Sequence, residues 1–180
     1  MGVLEITLLV TPETPEEYIS AVMKAFSNFR YKLIGRKEFT LNDIERVRMH
    51  KWPQYNAGDI LLKIIQHYNP KLPRINFLLT TQDITVRPFN FVFGLAQEGC
   101  CAVLSSFRMR PSFYQMNISD DIVPKLLYKD TLHEIGHVLG LAHCHNKCVM
   151  NFSNTLSDLI EKHDMYCKRC KREISQWLED

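Results

Sequence analysis

The segment from His133 to His143 carries three histidines, one glutamate and one glycine in the pattern HExxHxxGxxH. His133 and His137 are four residues apart, so in an α-helix their side chains lie one turn apart on the same face. Gly140 predicts the end of that helix, because glycine adopts a left-handed backbone conformation at little cost. The chain can then turn back and bring His143 towards the other two imidazoles.

Three imidazoles in this arrangement are typical of a zinc site. Three neutral histidines leave a fourth position for water, which indicates a catalytic rather than a structural zinc. Glu134 is too close to His133 in sequence to share the ion comfortably, but it can reach a zinc-activated water as general base. We therefore expect His133, His137 and His143 to bind a catalytic zinc. The alternative is a chance match on an ordinary core helix.

The predicted helix has two different faces. At 100° per residue, Asp130 shares one face with His133, Glu134 and His137. The opposite face is apolar and consists of Tyr128, Leu132, Ile135 and Leu139. A polar stripe and an apolar stripe are what a helix needs when it lies between a cleft and a core.

Two cysteine pairs follow the histidines and predict a second metal site. The pairs are Cys144 with Cys148 and Cys167 with Cys170. Each spacing can present two thiolates to one ion, and four thiolates close a tetrahedral structural zinc. Such a site would hold the loop after His143 against the C-terminal segment. Reduced, unliganded cysteines or disulfides remain the alternatives.

Length and composition exclude several classes of protein. A chain of 180 residues, 46% hydrophobic and 23% charged, is typical of one globular domain. A formal charge of +2 gives no indication of nucleic-acid binding. Residues 1–10 lack the pattern of a signal peptide, and no run reaches the length of a membrane span. We expect a cytoplasmic monomer without a membrane or nucleic-acid partner.

Periodicity predicts a mixed α/β order of elements. Strands are predicted at residues 3–10, 31–39, 74–81, 89–93 and 101–108. Helices are predicted at residues 15–29, 59–68, 120–139, 156–165 and 171–178. This order predicts an α+β or three-layer α/β/α architecture with a mixed sheet. The whole chain, residues 1–180, is expected to be one domain, with an upper part up to about residue 140 and a smaller lower part from about 141.

The residues after His143 resemble those of the archaemetzincins, a family of the metzincin clan of zinc peptidases. Cys144 follows the third histidine directly, the run Cys148-Val149-Met150 comes next, and a CxxC pair lies further on. Residues 90–96 are also similar to the family. The resemblance implies a metzincin-type zincin fold with a mixed twisted sheet and a zinc-clamped C-terminal part. It also implies two zinc ions, Met150 in a tight turn beneath the catalytic one, and hydrolysis of peptides or proteins.

The same resemblance implies a strand at the rim of the cleft that pairs with an extended substrate. The predicted strand 101–108 is the candidate, which would make Ser105, Ser106 and Phe107 contact the substrate. A plain strand without that role is the alternative.

Two other functions remain open at this point. The chain could be a non-catalytic two-zinc scaffold whose basic residues near Cys170 bind an acidic partner or RNA. The presence of Glu134 argues against this, because a scaffold needs no carboxylate there. The chain could also be a zinc hydrolase of a non-peptide amide, which the motif alone does not exclude.

Overall fold

A five-stranded sheet forms the centre of the computed structural model. The structure describes residues 2–47 and 53–179, so that Met1, residues 48–52 and Asp180 lie outside the described part. The strands are β1 (Leu4–Val10), β2 (Tyr31–Glu38), β3 (Arg46–Val47), β4 (Gln54–Asn56), β5 (Arg74–Thr80), β6 (Ile84–Thr85), β7 (Gly94–Gln97) and β8 (Cys101–Ser105). The helices are α1 (Glu16–Phe26), α2 (Ala57–Tyr68), α3 (Val123–Val138), α4 (Leu156–Glu161) and α5 (Lys168–Glu173).

The main sheet has the order β2-β1-β5-β8-β7. β1, β2, β5 and β8 run parallel, and β7 is antiparallel to β8. The mixed sheet that was predicted is therefore confirmed. A second sheet of three short strands, β3-β4-β6, was not predicted, because two or three residues give no usable alternation.

Helices cover both faces of the main sheet and produce three layers. Helices α1 and α3 pack together on one face, and α2 lies on the other face against β7 and β8. Successive residues of a strand point to opposite faces. Accordingly, Leu8 belongs to the core cluster under α1 and α3, while Leu9 belongs to the cluster under α2. The predicted three-layer α/β/α class is confirmed.

Helix α3 begins and ends as its sequence predicts. A 3₁₀-helix at Asp120–Ile122 precedes it, and Ser119 caps that turn through a hydrogen bond from the Asp121 amide. Pro124 lies in the first turn, where its missing amide proton is not needed. After Val138 the chain leaves the helix at Gly140, whose φ is +94°. The amide of Leu141 then donates to the Gly136 carbonyl at 2.9 Å.

The predicted strand at residues 89–93 is wrong. The residues that pair with β8 are those of β7, Gly94–Gln97, which begin directly after the predicted strand. The turn sets this register, because Gly99 has a φ of +70° and the Cys100 amide donates to the Gln97 carbonyl. The strand predicted for residues 101–108 ends at Ser105 and is followed by a 3₁₀-helix at Phe107–Met109. The last two helices are shorter than predicted.

Both parts of the chain contribute to one core. The cluster under α1 and α3 also contains Leu141, Met150, Leu159 and Ile174 from beyond residue 140. This supports a single domain, although the boundary at about residue 140 stays a prediction. Among the described residues, no helix combines the length and the apolar character that crossing a membrane requires.

Candidate metal centres and cleft

The three histidines of the motif converge on one point. Their ring nitrogens lie within 4.8 Å of one another. The Nε2 atoms of His133 and His137 are 3.0 Å apart, and the ring of His143 lies 5.3 Å from that of His133 and 4.8 Å from that of His137, between centroids. Helix α3 provides the first two imidazoles, and the turn at Gly140 brings in the third. The structure thus brings together the three residues that the sequence singled out.

Backbone carbonyls orient two of these rings. His133 Nδ1 lies 2.9 Å from the Val149 carbonyl oxygen, and His137 Nδ1 lies 2.7 Å from the Leu141 carbonyl oxygen. A carbonyl can only accept, so each Nδ1 carries the proton and donates it. Each Nε2 then keeps its lone pair and faces the common point. This tautomer is the one that a metal-binding histidine needs.

The pKa values of all three imidazoles are lowered, which favours their neutral form. Burial lowers the pKa of His133 from 6.5 to about 3, with a further contribution from the Lys162 ammonium nearby. Burial is also the main reason why the pKa values of His137 and His143 are lowered. Neutral imidazoles at a cavity surface are chemically suited to zinc.

Glu134 is buried against the first residue of β7. Burial, together with the Asp130 carboxylate, raises the pKa of Glu134 well above its usual value. A Cβ on Gly94 would overlap the Glu134 carboxylate, so the helix and the edge strand approach closely only because residue 94 has no side chain. The carboxyl group therefore lies directly between α3 and β7.

A buried ion pair lies beside the histidines. Lys162 Nζ is 3.0 Å from Asp130 Oδ1, and the two side chains are 1% and 4% exposed. The same Nζ lies 3.4 Å from His133 Nδ1. Asp130 was predicted to share the polar face of α3, four residues before Glu134. Lys162 was missed, because nothing in the sequence around it relates it to a helix more than twenty residues earlier.

Met150 packs directly under the histidine cluster. A Cβ on Gly136, inside the HExxH segment, would overlap Met150 Sδ and lie 3.3 Å from a ring carbon of Tyr166. The Tyr166 hydroxyl donates to the Leu132 carbonyl of α3. Gly136 and Tyr166 were both missed by the sequence reasoning. The position of Met150 beneath α3 supports the turn that the resemblance implied.

The four cysteines of the second predicted site also converge. Their sulfur atoms lie within 4.8 Å of one another, and Cys144, Cys148 and Cys170 are buried. Cys148 Sγ accepts hydrogen bonds from the amides of Cys167 at 3.2 Å and Met150 at 3.5 Å. Amide donors lower the pKa of the Cys167 thiol to about 6. Burial raises the pKa values of Cys148 and Cys170.

The donor set at the cysteines fits one tetrahedral metal ion. Four sulfurs with amide donors aimed at them are typical of a closed, structural zinc site. All six cysteines of the chain are free thiols, so none of these four is used in a disulfide. His145 lies exposed on the adjoining loop.

The two clusters are joined through the chain itself. His143 and Cys144 are adjacent residues whose side chains belong to different clusters. The Cys144 amide donates to the Met150 carbonyl at 2.9 Å, and Asn151 Nδ2 donates to the carbonyls of Cys144 and Asn146. The loop that delivers the third imidazole is therefore fixed by the segment around Met150.

A cavity of about 480 Å³ opens over the histidines. Its floor contains His133, Glu134 and His137 from α3, and one wall contains Gly94, Leu95 and Ala96 of β7. Phe89 and Phe152 contribute aromatic rings to the same cavity. Neither aromatic residue was predicted to line a cavity, because Phe89 was assigned to a strand and Phe152 lies in a loop without a periodic pattern.

Ser105, Ser106 and Phe107 do not line this cavity, and the prediction that they form its rim is wrong. Strand β8 is interior, between β5 and β7, and its backbone is paired on both sides. Ser105 and Ser106 are 1% and 2% exposed. Ser105 Oγ donates to the Gln82 carbonyl, and the amide of Phe107 donates to Ser105 Oγ at 3.1 Å. These residues hold the end of β8, and the edge strand on this side of the sheet is β7.

Comparison with known proteins identifies a family. The sequence pattern of peptidase family M54 matches residues 59–176 of this chain, which is more than half of it. The archaemetzincin of Thermococcus kodakarensis is 42% identical over 103 residues, which are 56% of this chain and 55% of that protein. The matches span 55–66% of the lengths of the first curated relatives.

Solved structures resemble the chain over most of its length. The zinc-dependent peptidase from Methanocorpusculum labreanum is 27% identical, with a TM-score of 0.77, and the match covers 94% of this chain and 99% of that one. The archaemetzincin from Archaeoglobus fulgidus, solved in complex with malonate, is 28% identical, with a TM-score of 0.72 and the same coverage.

Proposed function

This chain belongs to peptidase family M54, and on that premise we propose that it is a zinc-dependent metallopeptidase that hydrolyses peptide bonds. The observation that carries the proposal is the group of three imidazoles, with ring nitrogens within 4.8 Å, at the floor of a cavity that also contains Glu134. A structural role would need neither the cavity nor the carboxylate.

His133 and His137 would hold the catalytic zinc through their Nε2 lone pairs, and His143 would hold it through one ring nitrogen. When bound, zinc supplies a Lewis acid and makes a coordinated water more acidic. The Val149 and Leu141 carbonyls keep two of the rings in the required tautomer. Lowered pKa values keep the rings from taking up protons near neutral pH.

Glu134 is the general base of the proposed reaction. Its buried carboxylate would accept the proton of the attacking water and then deliver it to the leaving amine. Burial raises its pKa, which makes the carboxylate a better proton acceptor. Its contact with Gly94 keeps it beside the edge strand, where a substrate would lie.

The substrate backbone would pair with the free edge of β7. Within the described chain, β7 is bonded to β8 on one side, and its residues 94–96 line the cavity with their other side. An extended peptide added to a sheet edge gains main-chain hydrogen bonds without regard to its sequence. This role replaces the one predicted for Ser105, Ser106 and Phe107.

The proposal includes a second, structural zinc at the four cysteines. Their mutual distances and the amide donors to Cys148 support it. The free thiols are consistent with a reducing compartment, and a cytoplasmic monomer belongs to the same proposal. Native mass spectrometry of the purified protein should find two zinc ions per chain, and a single ion would force a choice between the sites.

The test of the activity is the Glu134→Gln variant. It should bind as much zinc as the parent protein and lose peptide cleavage by about 10²- to 10⁴-fold, which is the usual contribution of a positioned base. The matched control is Glu98→Gln, which removes an exposed carboxylate of the same cavity and should keep activity. Undiminished cleavage by Glu134→Gln would reject the mechanism.

A further inference from the structure

A buried ion pair lies next to residues 89–93, the wall segment of the cavity, which leads into β7. Arg108 Nε donates to Asp83 Oδ1 at 2.9 Å, and Arg108 Nη2 donates to Asp83 Oδ2 at 2.6 Å. The side chains of Arg108 and Asp83 are 11% and 2% exposed. Neither residue lines the cavity, and no step of the proposed reaction uses them. The pair therefore has a role that the proposed chemistry does not explain.

The guanidinium of Arg108 also contacts aromatic rings. Its central carbon lies 5.0 Å from the ring centroid of Phe91 and 4.6 Å from that of Phe113. A planar guanidinium can bind a carboxylate along its edge while its faces contact rings, which a lysine ammonium does not reproduce. Phe91 belongs to the cavity wall. Arg108 thus reaches the wall of the cavity through the ring of Phe91.

Asp83 is held by the second sheet. Its carbonyl accepts a hydrogen bond from the Tyr55 amide of β4 at 2.9 Å, and it directly precedes β6. The carbonyl of Ile84 in β6 accepts from the Val92 amide at 3.1 Å. The second sheet therefore holds the backbone of the wall segment at Val92, and it holds the side chain of the preceding residue, Phe91, through the ion pair.

The wall segment connects this ion pair to Glu134. The rings of Phe91 and Phe93 meet edge to face, with centroids 5.3 Å apart and planes inclined by 77°. The Phe93 carbonyl accepts from the Ser105 amide at 2.8 Å, and the next residue is Gly94. A Cβ on Gly94 would overlap the Glu134 carboxylate. A shift of the wall segment would consequently move the strand that Glu134 contacts.

The physical chemistry of the pair suits positioning better than stabilisation. A buried ion pair adds little to folding stability compared with apolar residues of the same volume, because the desolvation of two charges offsets their attraction. Its geometry is more specific, since two parallel hydrogen bonds fix the position and the plane of the guanidinium. A ring that packs on that plane is then fixed with it.

We infer that Asp83 and Arg108 form a positioning pair, which fixes the wall segment through Phe91 and thereby keeps the start of β7 against Glu134. This inference rests on the proposed function, because it assigns the pair an effect on the proposed general base. A misplacement of about 1 Å at a reacting group can cost about 10²-fold in rate. The pair should therefore affect turnover without touching the substrate.

The double variant Asp83→Leu, Arg108→Met tests the effect on turnover. It removes both charges together, so that no unpaired charge is left in the interior. It should keep its zinc and its cooperative thermal unfolding, and it should lower kcat for a peptide substrate by about 10- to 100-fold. KM should change less than kcat, since neither residue lines the cavity.

The matched control removes another arginine–carboxylate pair. Arg36 Nη1 donates to both carboxylate oxygens of Glu16, at 2.8 and 3.0 Å, between β2 and α1. β2 is the edge strand of the main sheet opposite to β7. The double variant Glu16→Leu, Arg36→Met should therefore keep the kcat of the parent protein.

A combined variant tests whether Arg108 acts through Phe91. Phe91→Leu alone should also lower kcat, because the guanidinium then has a smaller and non-planar partner. If the two act in one chain of contacts, Phe91→Leu added to the double variant should lower kcat no further. Multiplied effects in the combined variant would show that Arg108 does not act through Phe91 and would overturn the inference.

Hydrogen exchange measured by mass spectrometry separates this inference from the proposed function. In the double variant, peptides that span residues 89–97 should exchange their amide protons at least about tenfold faster, while β1 and β5 exchange as in the parent protein. If this local change is found but the parent protein hydrolyses no peptide, the proposed activity fails and the positioning of the wall segment stands.

Two results would overturn the positioning pair. One is a double variant with the kcat and the local exchange of the parent protein. The other is exchange that rises in all strands together with the loss of kcat, because the pair would then only support folding. All assays are made at temperatures below the onset of thermal unfolding of each variant.

Discussion

The histidine cluster and the cysteine cluster begin at adjacent residues, His143 and Cys144, yet they are built in opposite ways. The imidazoles open onto a cavity, and carbonyl acceptors hold two of them from behind. The thiols are turned inwards, and amide donors point at Cys148. An acceptor behind a ring leaves the lone pair in front free, whereas a donor to sulfur stabilises negative charge. The environment of each cluster, more than its residue types, distinguishes the proposed catalytic site from the proposed structural one.

Loss of a cysteine should therefore unfold the lower part, while loss of a histidine should not. In Cys148→Ser we expect loss of one metal ion and of cooperative folding, because the apparent binding energy of a structural zinc is about 10–16 kcal/mol at neutral pH. His137→Ala should also lose one ion and remain folded. Metal analysis and near-ultraviolet circular dichroism distinguish the two outcomes. A well-folded Cys148→Ser protein would show that the comparison is mistaken.

The ion pair of Asp130 and Lys162 tests whether the lower part supports the histidine site. Lys162→Met leaves the Asp130 carboxylate buried without its partner, and it should lower the free energy of unfolding by about 3–5 kcal/mol. Urea denaturation measures this. The control is the double variant Asp130→Leu, Lys162→Met, which removes both charges and should recover much of the loss. Equal destabilisation of the single and double variants would indicate lost packing instead.

The close approach of Gly136 and Met150 provides a smaller test of whether the lower part of the chain supports the histidine site. In Gly136→Ala the new methyl group meets Met150 Sδ, and the strain should lower the free energy of unfolding by about 1–3 kcal/mol. Zinc should be held less tightly at the histidines, since His133 and His137 flank the altered residue. The matched control is Gly35→Ala in β2, where a Cβ meets no atom within 4 Å. We expect the control to change stability by less than about 0.5 kcal/mol.

The smallest expected effect is the change in folding stability with pH that results from the titration of His133. In protein freed of the histidine-site metal alone, His133 has a pKa of about 3, against 6.5 when exposed. Between these values the unfolded chain binds a proton that the folded chain does not, so stability present above pH 6.5 is lost as the pH falls. The expected loss between about pH 7.5 and 5.5 is about 1.4 kcal/mol. Thermal unfolding of the parent protein and of His133→Gln measures it, and parallel curves would contradict the assignment.

The convergence of the three histidines could be predicted from the sequence because their spacing is local. His133, Glu134 and His137 lie within two turns of one helix, and Gly140 provides the left-handed residue that returns His143. A helix repeats every 3.6 residues whatever surrounds it, so such a pattern carries into three dimensions unchanged. The cysteine pairs could be predicted for the same reason, since each pair lies within a short loop.

The wall of the cleft could not be predicted, because its position depends on contacts far apart in sequence. Residues 89–93 contain alternating aromatic side chains, which indicate a strand when they are considered alone. In the fold, Arg108 stacks on Phe91 at 5.0 Å while it forms an ion pair with Asp83. The packing of these side chains therefore decides the path of the backbone. Pairing with β8 begins only at Gly94. Alternation reports which faces are apolar, but it does not report which strand lies at the edge.

The contact between Gly94 and Glu134 has a consequence for sequence variation. Glycine carries no functional group, and a comparison of chemistry alone would treat position 94 as free to change. Every other amino acid would place a carbon atom where the Glu134 carboxylate lies, and it would have to push either the strand or the carboxylate aside. Homologous chains that keep the glutamate and this geometry should therefore keep the glycine. Position 94 is thus restricted by shape, just as position 134 would be restricted by its proposed role as general base.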